Sequence, residues 1–299
     1  MSFLQALLNG IALAAVYALL GMGFVIIYKS MQVLSFAQPA LMLFGGWWII
    51  YFATVVSLNF YLAVLIAVVI AALSGLFIER VFLRPMVGKP VFAVAIMTIG
   101  LDLAVRVVAG NFYNVGGNTT GDPWGLNTHT FWGIGVVMNH RRAWAIVAAA
   151  VLVAGLLAFF RFSRMGLAMR AAAFDQEVAL IQGVSVAAVF AISWAMASVL
   201  ATVASLFINP DLGSLTPNSY ALALKALPVV VIGGLDSIGG TLVAALLVGV
   251  AEALTGTYQS HLTPYIGQNF SQVVPYLVMF FVLLIRPYGL FGTREVERV

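Results

Sequence analysis

Long uninterrupted apolar runs recur along the whole chain, and they constrain its fold more than any other feature. Runs such as "YLAVLIAVVIAALSGLF" at 61–77 approach the ~20 apolar residues that a helix needs to cross a bilayer. With 8% charged residues and a mean hydropathy of +1.07, the chain lacks the charge that keeps a soluble surface hydrated. A transmembrane β-barrel would instead show short alternating segments. The sequence therefore predicts an all-α fold, a polytopic transmembrane helical bundle forming one domain over residues 1–299.

Hydropathy divides the chain into eight or nine membrane segments. Residues 1–28 lack a basic leading region and a small-residue cleavage site, so they are predicted to be the first span and not a removed signal. Glycine and proline interrupt several segments, including the turn "GGLDSIGG" at 233–240, so one or two segments are candidates for re-entrant half-helices. The predicted segments are 3–28, 36–56, 59–82, 91–110, 143–162, 186–207, 219–235, 239–259 and 271–287.

Basic residues predict the orientation of these segments. Cytoplasmic loops carry an excess of Lys and Arg, and the best partition puts the N-terminus outside and the C-terminus in the cytoplasm. Arg141 and Arg142 then lie in an external polar loop at about 111–142, whereas a segment at about 163–185 is cytoplasmic. The cytoplasmic bases in this arrangement are Lys29, Arg80, Arg84, Lys89, Arg161, Arg164, Arg170, Arg286, Arg294 and Arg298.

The cytoplasmic segment has more order than a connector needs. "MRAAAFDQEVALIQ" contains no proline or glycine and ends at Gly183, which is typical of a helix with a C-terminal glycine cap. As one helix it would align Ala171, Asp175 and Ala179 in a stripe, where small side chains let a partner backbone come close. This pattern favours a docking surface, and a solvated connector is the alternative.

The same stretch, "SRMGLAMRAAAFDQEVALIQGV" at 163–184, resembles the coupling segment of ABC-importer permeases of the branched-chain amino-acid (LivH) type. The matching positions are Arg164, Gly166, Arg170, Ala171, Asp175, Ala179, Gly183 and Val184. The resemblance implies that this cytoplasmic coupling helix receives ATPase subunits. It also implies two ATP-binding cassette subunits, a second permease subunit (a homologous chain or a second copy), an external solute-binding protein, and a bacterial inner-membrane location.

Further motifs extend the resemblance over nearly the whole chain. They are "NGIALAAVYALLGMGFVIIY" (9–28), "ERVFLRP" (79–85), "IMTIGLDL" (96–103), the stretch 223–254 and "RPYGLFG" (286–292). One departure concerns the start of the second span, where such permeases usually carry Asn-Phe-Ala-His-Gly-Glu/Asp. This chain has Ser35, Gln38, Pro39 and Ala40 there. If the segment lines the pathway, the cargo extends beyond branched-chain amino acids to related amides and carboxylates.

Ionisable and polar residues inside the spans are candidates for a translocation pathway or gate, because such groups face the bundle interior. Asp102 and Arg106 are spaced as a pair within one helix, and Lys225 and Glu252 fall in neighbouring spans where a mutual pair is geometrically possible. For both pairs a structural role is the alternative. Gln38 and Pro39 open a segment that is either a half-helix facing the substrate or an ordinary helix start with proline in its preferred position.

Two other classes of protein compete with the importer subunit. A self-sufficient secondary transporter or channel would need carboxylates central to its pathway, for which Asp102 and Glu252 are the candidates. A membrane enzyme would need a nucleophile and base together at one interface, and the sequence has no such motif. We expect no cofactor, no metal site, no nucleic-acid partner and no catalytic activity of the chain itself; ATP hydrolysis would belong to partner subunits.

Overall fold

The structure, a computed structural model, describes residues 3–111, 118–124, 128–131, 136–174, 176–208, 214–216 and 218–293. The α-helices are α1 (Phe3–Met31), α2 (Gln38–Ile50), α3 (Phe60–Ile78), α4 (Val91–Gly110), α5 (His140–Phe162), α6 (Arg164–Phe174), α7 (Gln176–Ile181), α8 (Val186–Ser205), α9 (Ser219–Leu224), α10 (Ala226–Gly233), α11 (Ile238–Thr257), α12 (Gln259–Ile266) and α13 (Val274–Ile285). Short π-helical stretches at Tyr51–Val55 and Glu79–Leu83 extend α2 and α3. The predicted polytopic helical bundle is confirmed.

The number of full-length spans is lower than the predicted eight or nine. Among the described residues, seven helices are long and apolar enough to cross a membrane. The predicted segments 219–235 and 271–287 instead form shorter apolar helices. One is broken at Lys225 into α9 and α10, of six and eight residues, and the other is α13, of 12 residues. At about 1.5 Å per residue, neither reaches the ~30 Å of the hydrocarbon core.

Short strands lie where a polar external loop was predicted. β2 (Thr128–Phe131) and β3 (Val136–Asn139) form an antiparallel hairpin, and β1 (Asn118–Thr119) pairs with β4 (Ser214–Leu215). Below the hairpin, Arg141 forms a buried salt bridge with Asp122 (2.7 Å). We call this side of the bundle the hairpin end.

The opposite side of the bundle gathers the end of α1, the coupling segment and the chain after α13. Lys29 Nζ donates a hydrogen bond to the backbone oxygen of Asp236 (3.2 Å), and Gln176 Nε2 donates to the backbone oxygen of Ser30 (3.2 Å). The Thr293 hydroxyl donates to the Asp236 carboxylate. α1 runs from the hairpin end to this side. We call this side the basic end, because most of the predicted cytoplasmic bases lie on it.

α1 is the central helix of the bundle, since most of its length is buried between α8, α10 and α11. Its contact with α11 is close because glycines face each other across it. A Cβ on Gly10 would lie 2.7 Å from the Cα of Val250, and one on Gly249 would lie 2.6 Å from the backbone nitrogen of Ala14. Small residues at helix interfaces are the usual means of close packing in lipid, where the hydrophobic effect does not drive helices together.

Candidate functional site

α2 begins inside the bundle and not at its surface. The chain leaves α1 at Gln32, which takes a left-handed φ of 55°, and turns back into the bundle before α2 starts at Gln38. The Gln38 side chain packs against Gly23, where a Cβ would lie only 1.9 Å from its amide nitrogen. Gly23 precedes the end of α1 by about 12 Å at ~1.5 Å per residue, so this helix start lies well below the basic end.

Gln38 and Pro39 are both fully enclosed by protein. The Gln38 amide donates to the backbone oxygen of Ala197 on α8 (3.0 Å), while its own side-chain oxygen is buried and has no hydrogen-bond partner. Pro39 stands in the first turn of α2, where its missing N–H is not needed. The two residues therefore join α1, α2 and α8 rather than face an open cavity.

α4 supplies the polar groups that satisfy the irregular backbone before α2. The Thr98 hydroxyl oxygen accepts a hydrogen bond from the Phe36 N–H (3.1 Å). One turn further along α4, the buried Asp102 carboxylate faces the backbone amide of Ala40, in the first turn of α2. Backbone amides left free at membrane depth are costly, and a carboxylate near a helix N-terminus is favoured by the helix dipole. Thr98 thus satisfies the backbone just before a buried helix start, and Asp102 places negative charge near its N-terminus.

Asp102 also connects α4 to α9. Its Oδ2 accepts a hydrogen bond from the Tyr220 hydroxyl (2.9 Å) and lies 3.7 Å from Arg106 Nη2, while Oδ1 is buried without a partner. The Arg106 guanidinium stacks over the Tyr220 ring at 4.5 Å, and its side chain is 42% exposed. The predicted pairing of Asp102 with Arg106 is therefore present as a loose contact, and Tyr220 is a partner that sequence reasoning missed.

Lys225 and Glu252 form a buried ion pair between α9–α10 and α11. The Lys225 ammonium contacts Glu252 Oε1, and the two side chains are only 5% and 10% exposed. The Tyr17 hydroxyl of α1 donates to the other carboxylate oxygen (2.6 Å), so both oxygens have a donor. The pair suggested by the sequence is thus brought together, and Tyr17 completes it from a distant part of the chain.

The coupling segment is helical on both sides of Asp175, over α6 and α7. Asp175, the middle residue of the predicted stripe, lies outside the described residues. Of the two alanines of that stripe, Ala171 is exposed whereas Ala179 is only 3% exposed. Ala171 is therefore the accessible member of the pair, and Ala179 packs inward against the bundle.

Two glycines define the limits of this segment. Gly166 lies at the corner between α5 and α6, where a Cβ would come 2.4 Å from the backbone oxygen of Phe159. Gly183 ends α7 with a φ of 82°, and the N–H of Val184 reaches back to the oxygen of Ala179 (2.9 Å). This hydrogen bond is typical of a Schellman cap, as expected from the sequence.

The outer surface of α6 and α7 combines apolar and cationic side chains. Phe174 and Ile181 are 93% and 84% exposed. Arg164 and Arg170 are exposed as well. Large apolar side chains grouped at a polar end of a membrane protein are typical of a surface that binds another protein.

At the basic end, two motifs that are distant from each other along the sequence are in contact. The chain after α13 lies against the turn "GGLDSIGG", where the N–H of Leu290 donates to Ile232 (2.8 Å) and that of Phe291 donates to Gly233 (3.1 Å). Gly234 has a φ of 99°, and a Cβ there would lie 2.4 Å from the backbone nitrogen of Gly292. We call this contact between residues 232–236 and 289–293 the glycine latch. The glycines in both motifs were the feature of the sequence that could have predicted this close backbone contact.

Another buried charge at the basic end was not singled out from the sequence. Glu79 is fully buried in the π-helical stretch after α3, and both of its oxygens accept hydrogen bonds from Arg84, at 3.2 and 3.0 Å. In the parts of the chain that the structure describes, no three His, Asp or Glu side chains are grouped closely enough to hold a metal ion. The buried acids of the bundle are therefore paired with a base, within one helical stretch at Glu79 and between helices at Glu252.

The fold and its interior define a class of protein. Long apolar helices, a helix that starts deep inside the bundle, and buried charges paired between helices are typical of polytopic membrane transport proteins. The profile of the family described as "Branched-chain amino acid transport system / permease component" matches residues 6–283. The chain belongs to this family.

Curated relatives match almost end to end. The chain is 28% identical to the high-affinity branched-chain amino acid transport system permease protein LivH of Salmonella typhimurium, with 99% of this chain and 98% of the relative covered. The same identity and coverage relate it to the permease protein BraD of Pseudomonas aeruginosa. A probable branched-chain amino acid permease LivH of Methanocaldococcus jannaschii is 24% identical, with 92% and 88% covered.

A solved structure shares the fold. The structure described as PsaBC from Streptococcus pneumoniae in complex with Fab aligns with a TM-score of 0.50 and 12% identity, covering 96% of this chain and 93% of the other. At this identity the similarity shows the architecture alone.

Proposed function

We propose that this chain is the transmembrane permease subunit of an ABC importer in a bacterial inner membrane. Two partner ATPase subunits bind at residues 163–185 and drive alternating access of the permease pair. The observation that carries the proposal is the exposed surface of α6 and α7, with Phe174, Ile181 and Arg170 presented at the basic end. Family membership supports the same assignment.

The proposed cargo is a branched-chain amino acid or a related small amide or carboxylate, delivered by a solute-binding protein at the hairpin end. The names of the relatives support this range. Ser35, Gln38, Pro39 and Ala40 make this helix start less polar than the motif usual in such permeases, which supports the wider range. Because Arg106 is the half-exposed member of its cluster, we assign it to the outer part of the pathway.

The docking role is tested by adding charge on the coupling segment. Ala171→Glu places a carboxylate on the exposed surface of α6 and should abolish copurification of the coexpressed ATPase while the permease still inserts and stays monodisperse. Val87→Glu is the matched control, because Val87 is 54% exposed in the loop before α4 and outside the segment. Ala179 is unsuitable for this test, since a buried substitution would disturb folding first.

Normal ATPase copurification with Ala171→Glu and Phe174→Glu would contradict the docking role. The competing assignment is a self-sufficient secondary transporter or channel. It predicts uptake of radiolabelled leucine by the purified chain in vesicles without ATP or partners. If this uptake is observed, the importer proposal is wrong.

A further inference from the structure

A cleft of about 700 Å³ opens at the basic end between the coupling segment and the glycine latch. One wall is formed by Arg170, Ala173 and Phe174 of α6, and its floor includes Lys29 at the end of α1. The opposite wall contains Asp236, Tyr288, Gly292 and Thr293, which belong to the latch or flank it.

Both walls of the cleft are hydrogen-bonded to the end of α1. On one side Gln176, the first residue of α7, donates to the backbone oxygen of Ser30, and on the other Lys29 donates to the backbone oxygen of Asp236. The latch is closely packed, because glycine backbones are in direct contact there and Thr293 donates hydrogen bonds to the Asp236 carboxylate. The end of α1 is therefore the point at which movements of the two walls meet.

The cleft is cationic and has an aromatic rim. Lys29 and Arg170 line it, whereas its acidic lining residue, Asp236, already accepts hydrogen bonds from Thr293. Tyr288 is 49% exposed and also borders a neighbouring cleft of about 440 Å³ that contains Arg286. Such a surface is complementary to a protein segment that carries carboxylates beside apolar side chains.

We propose that the ATPase docking site has two parts, and that an acidic, partly apolar segment of the ATPase fills this cleft and contacts the latch as well as the coupling segment. The inference rests on the proposed function, because α6 is shared between the docking surface and the cleft. The added claim is that residues 286–293 also bind the ATPase subunit. Closure of the ATPase would then act on both walls of the cleft, on either side of the end of α1.

Single cysteines test the two walls separately, since the chain has no cysteine of its own. Ala173→Cys reports on the α6 wall, Tyr288→Cys on the latch wall, and Val87→Cys on an exposed position of the same end outside the cleft. Each variant is labelled with a maleimide in membranes, with and without the ATPase subunits. Binding of the ATPase should slow labelling at both cleft positions by about tenfold or more, because docked protein excludes the reagent, and should leave Val87→Cys unchanged.

The outcomes separate the two proposals. Protection of Ala173→Cys alone would leave the docking role of the coupling segment intact and overturn the latch contact. Protection of neither cleft position would overturn both. Protection of the cleft cysteines before the ATPase is added would assign the cleft to lipid or to the second permease subunit. Equal protection of Val87→Cys would show that the ATPase shields this whole end of the bundle. Either result overturns the inference.

The charge of the occupant has its own test. Arg170→Gln and Arg286→Gln should each weaken ATPase binding by about fivefold at low salt, as expected for a partly exposed charge pair. Arg80→Gln is the control, because Arg80 is exposed near the end of α3 and lines neither this cleft nor the neighbouring one that contains Arg286. Equal effects of all three substitutions would contradict a specific acidic segment.

Discussion

At the scale of single residues, Lys225 and Glu252 are opposite charges enclosed in an apolar bundle. Protein encloses nearly all of both side chains, so each charge depends on the other, and Tyr17 supplies the remaining donor to the carboxylate. Removing one member leaves an uncompensated charge, whereas removing both leaves an apolar contact. Asp102 and Arg106 differ, because the guanidinium is 42% exposed and its charge is partly solvated.

These environments predict different costs of substitution. Lys225→Met and Glu252→Leu should each lower the stability of the detergent-solubilised protein by about 3 kcal/mol, and the double variant should lose less than the sum, with a coupling of about 1–3 kcal/mol. Arg106→Met should cost under about 1 kcal/mol, as for other exposed pairs. Thermal unfolding followed by circular dichroism measures all four. Additive losses in the double variant would mean that the pair is not coupled.

The sequence predicts some of these contacts and misses others for a definite reason. Asp102 and Arg106 are four residues apart on one helix, so their proximity follows from helical geometry. Tyr17 and Tyr220 are far from Glu252 and Asp102 along the chain, and apolar periodicity gives no information about which helices meet. The position of Gln38 below the basic end could not be predicted either, because it depends on the chain turning back after α1.

At the scale of elements, hydropathy locates the helices well but does not fix their lengths. The long apolar segments agree with the predicted spans, since span length is imposed by the bilayer. The segments 219–235 and 271–287 are equally apolar but form short helices, because one is broken at Lys225 and the other ends at the proline that follows Arg286. In the coupling segment, the sequence pattern does not show which alanine faces the bundle, and Ala179 is buried whereas Ala171 is exposed.

Helix packing predicts which glycines are essential. Gly249→Ala should destabilise the bundle, because the added Cβ would lie 2.6–2.8 Å from backbone atoms of α1 that cannot move aside. Overpacking of this kind typically costs about 1–3 kcal/mol. Gly155→Ala on α5 is the matched control, since nothing lies within 4 Å of its Cβ position, and alanine favours a helix over glycine by up to about 1 kcal/mol. Equal melting temperatures of the two variants would show that α1 and α11 are not in close contact.

At the scale of the whole molecule, the two ends of the bundle differ in chemistry. The hairpin end presents strands and the buried Asp122–Arg141 pair, whereas the basic end carries the coupling segment, the cationic cleft and the glycine latch. Because α1 runs the full distance between them, an interaction at the basic end is mechanically joined to the helix that carries Tyr17 and packs against Gln38. The arrangement suits a protein that receives its driving force on one side of the membrane and its cargo on the other.

This asymmetry predicts how the molecule lies in the membrane. The excess of bases should hold the basic end in the cytoplasm, so an impermeant maleimide should label Val137→Cys, on the hairpin, in cells whose outer barrier is open. Val87→Cys, at the basic end, should react only after the inner membrane is lysed. Val151→Cys serves as the control, because it is 64% exposed in the middle of α5 and should react in neither case, a thiol facing hydrocarbon being unable to ionise. Labelling of Val87→Cys in intact cells with protection of Val137→Cys would place the coupling segment outside, where no ATP-driven subunit could reach it.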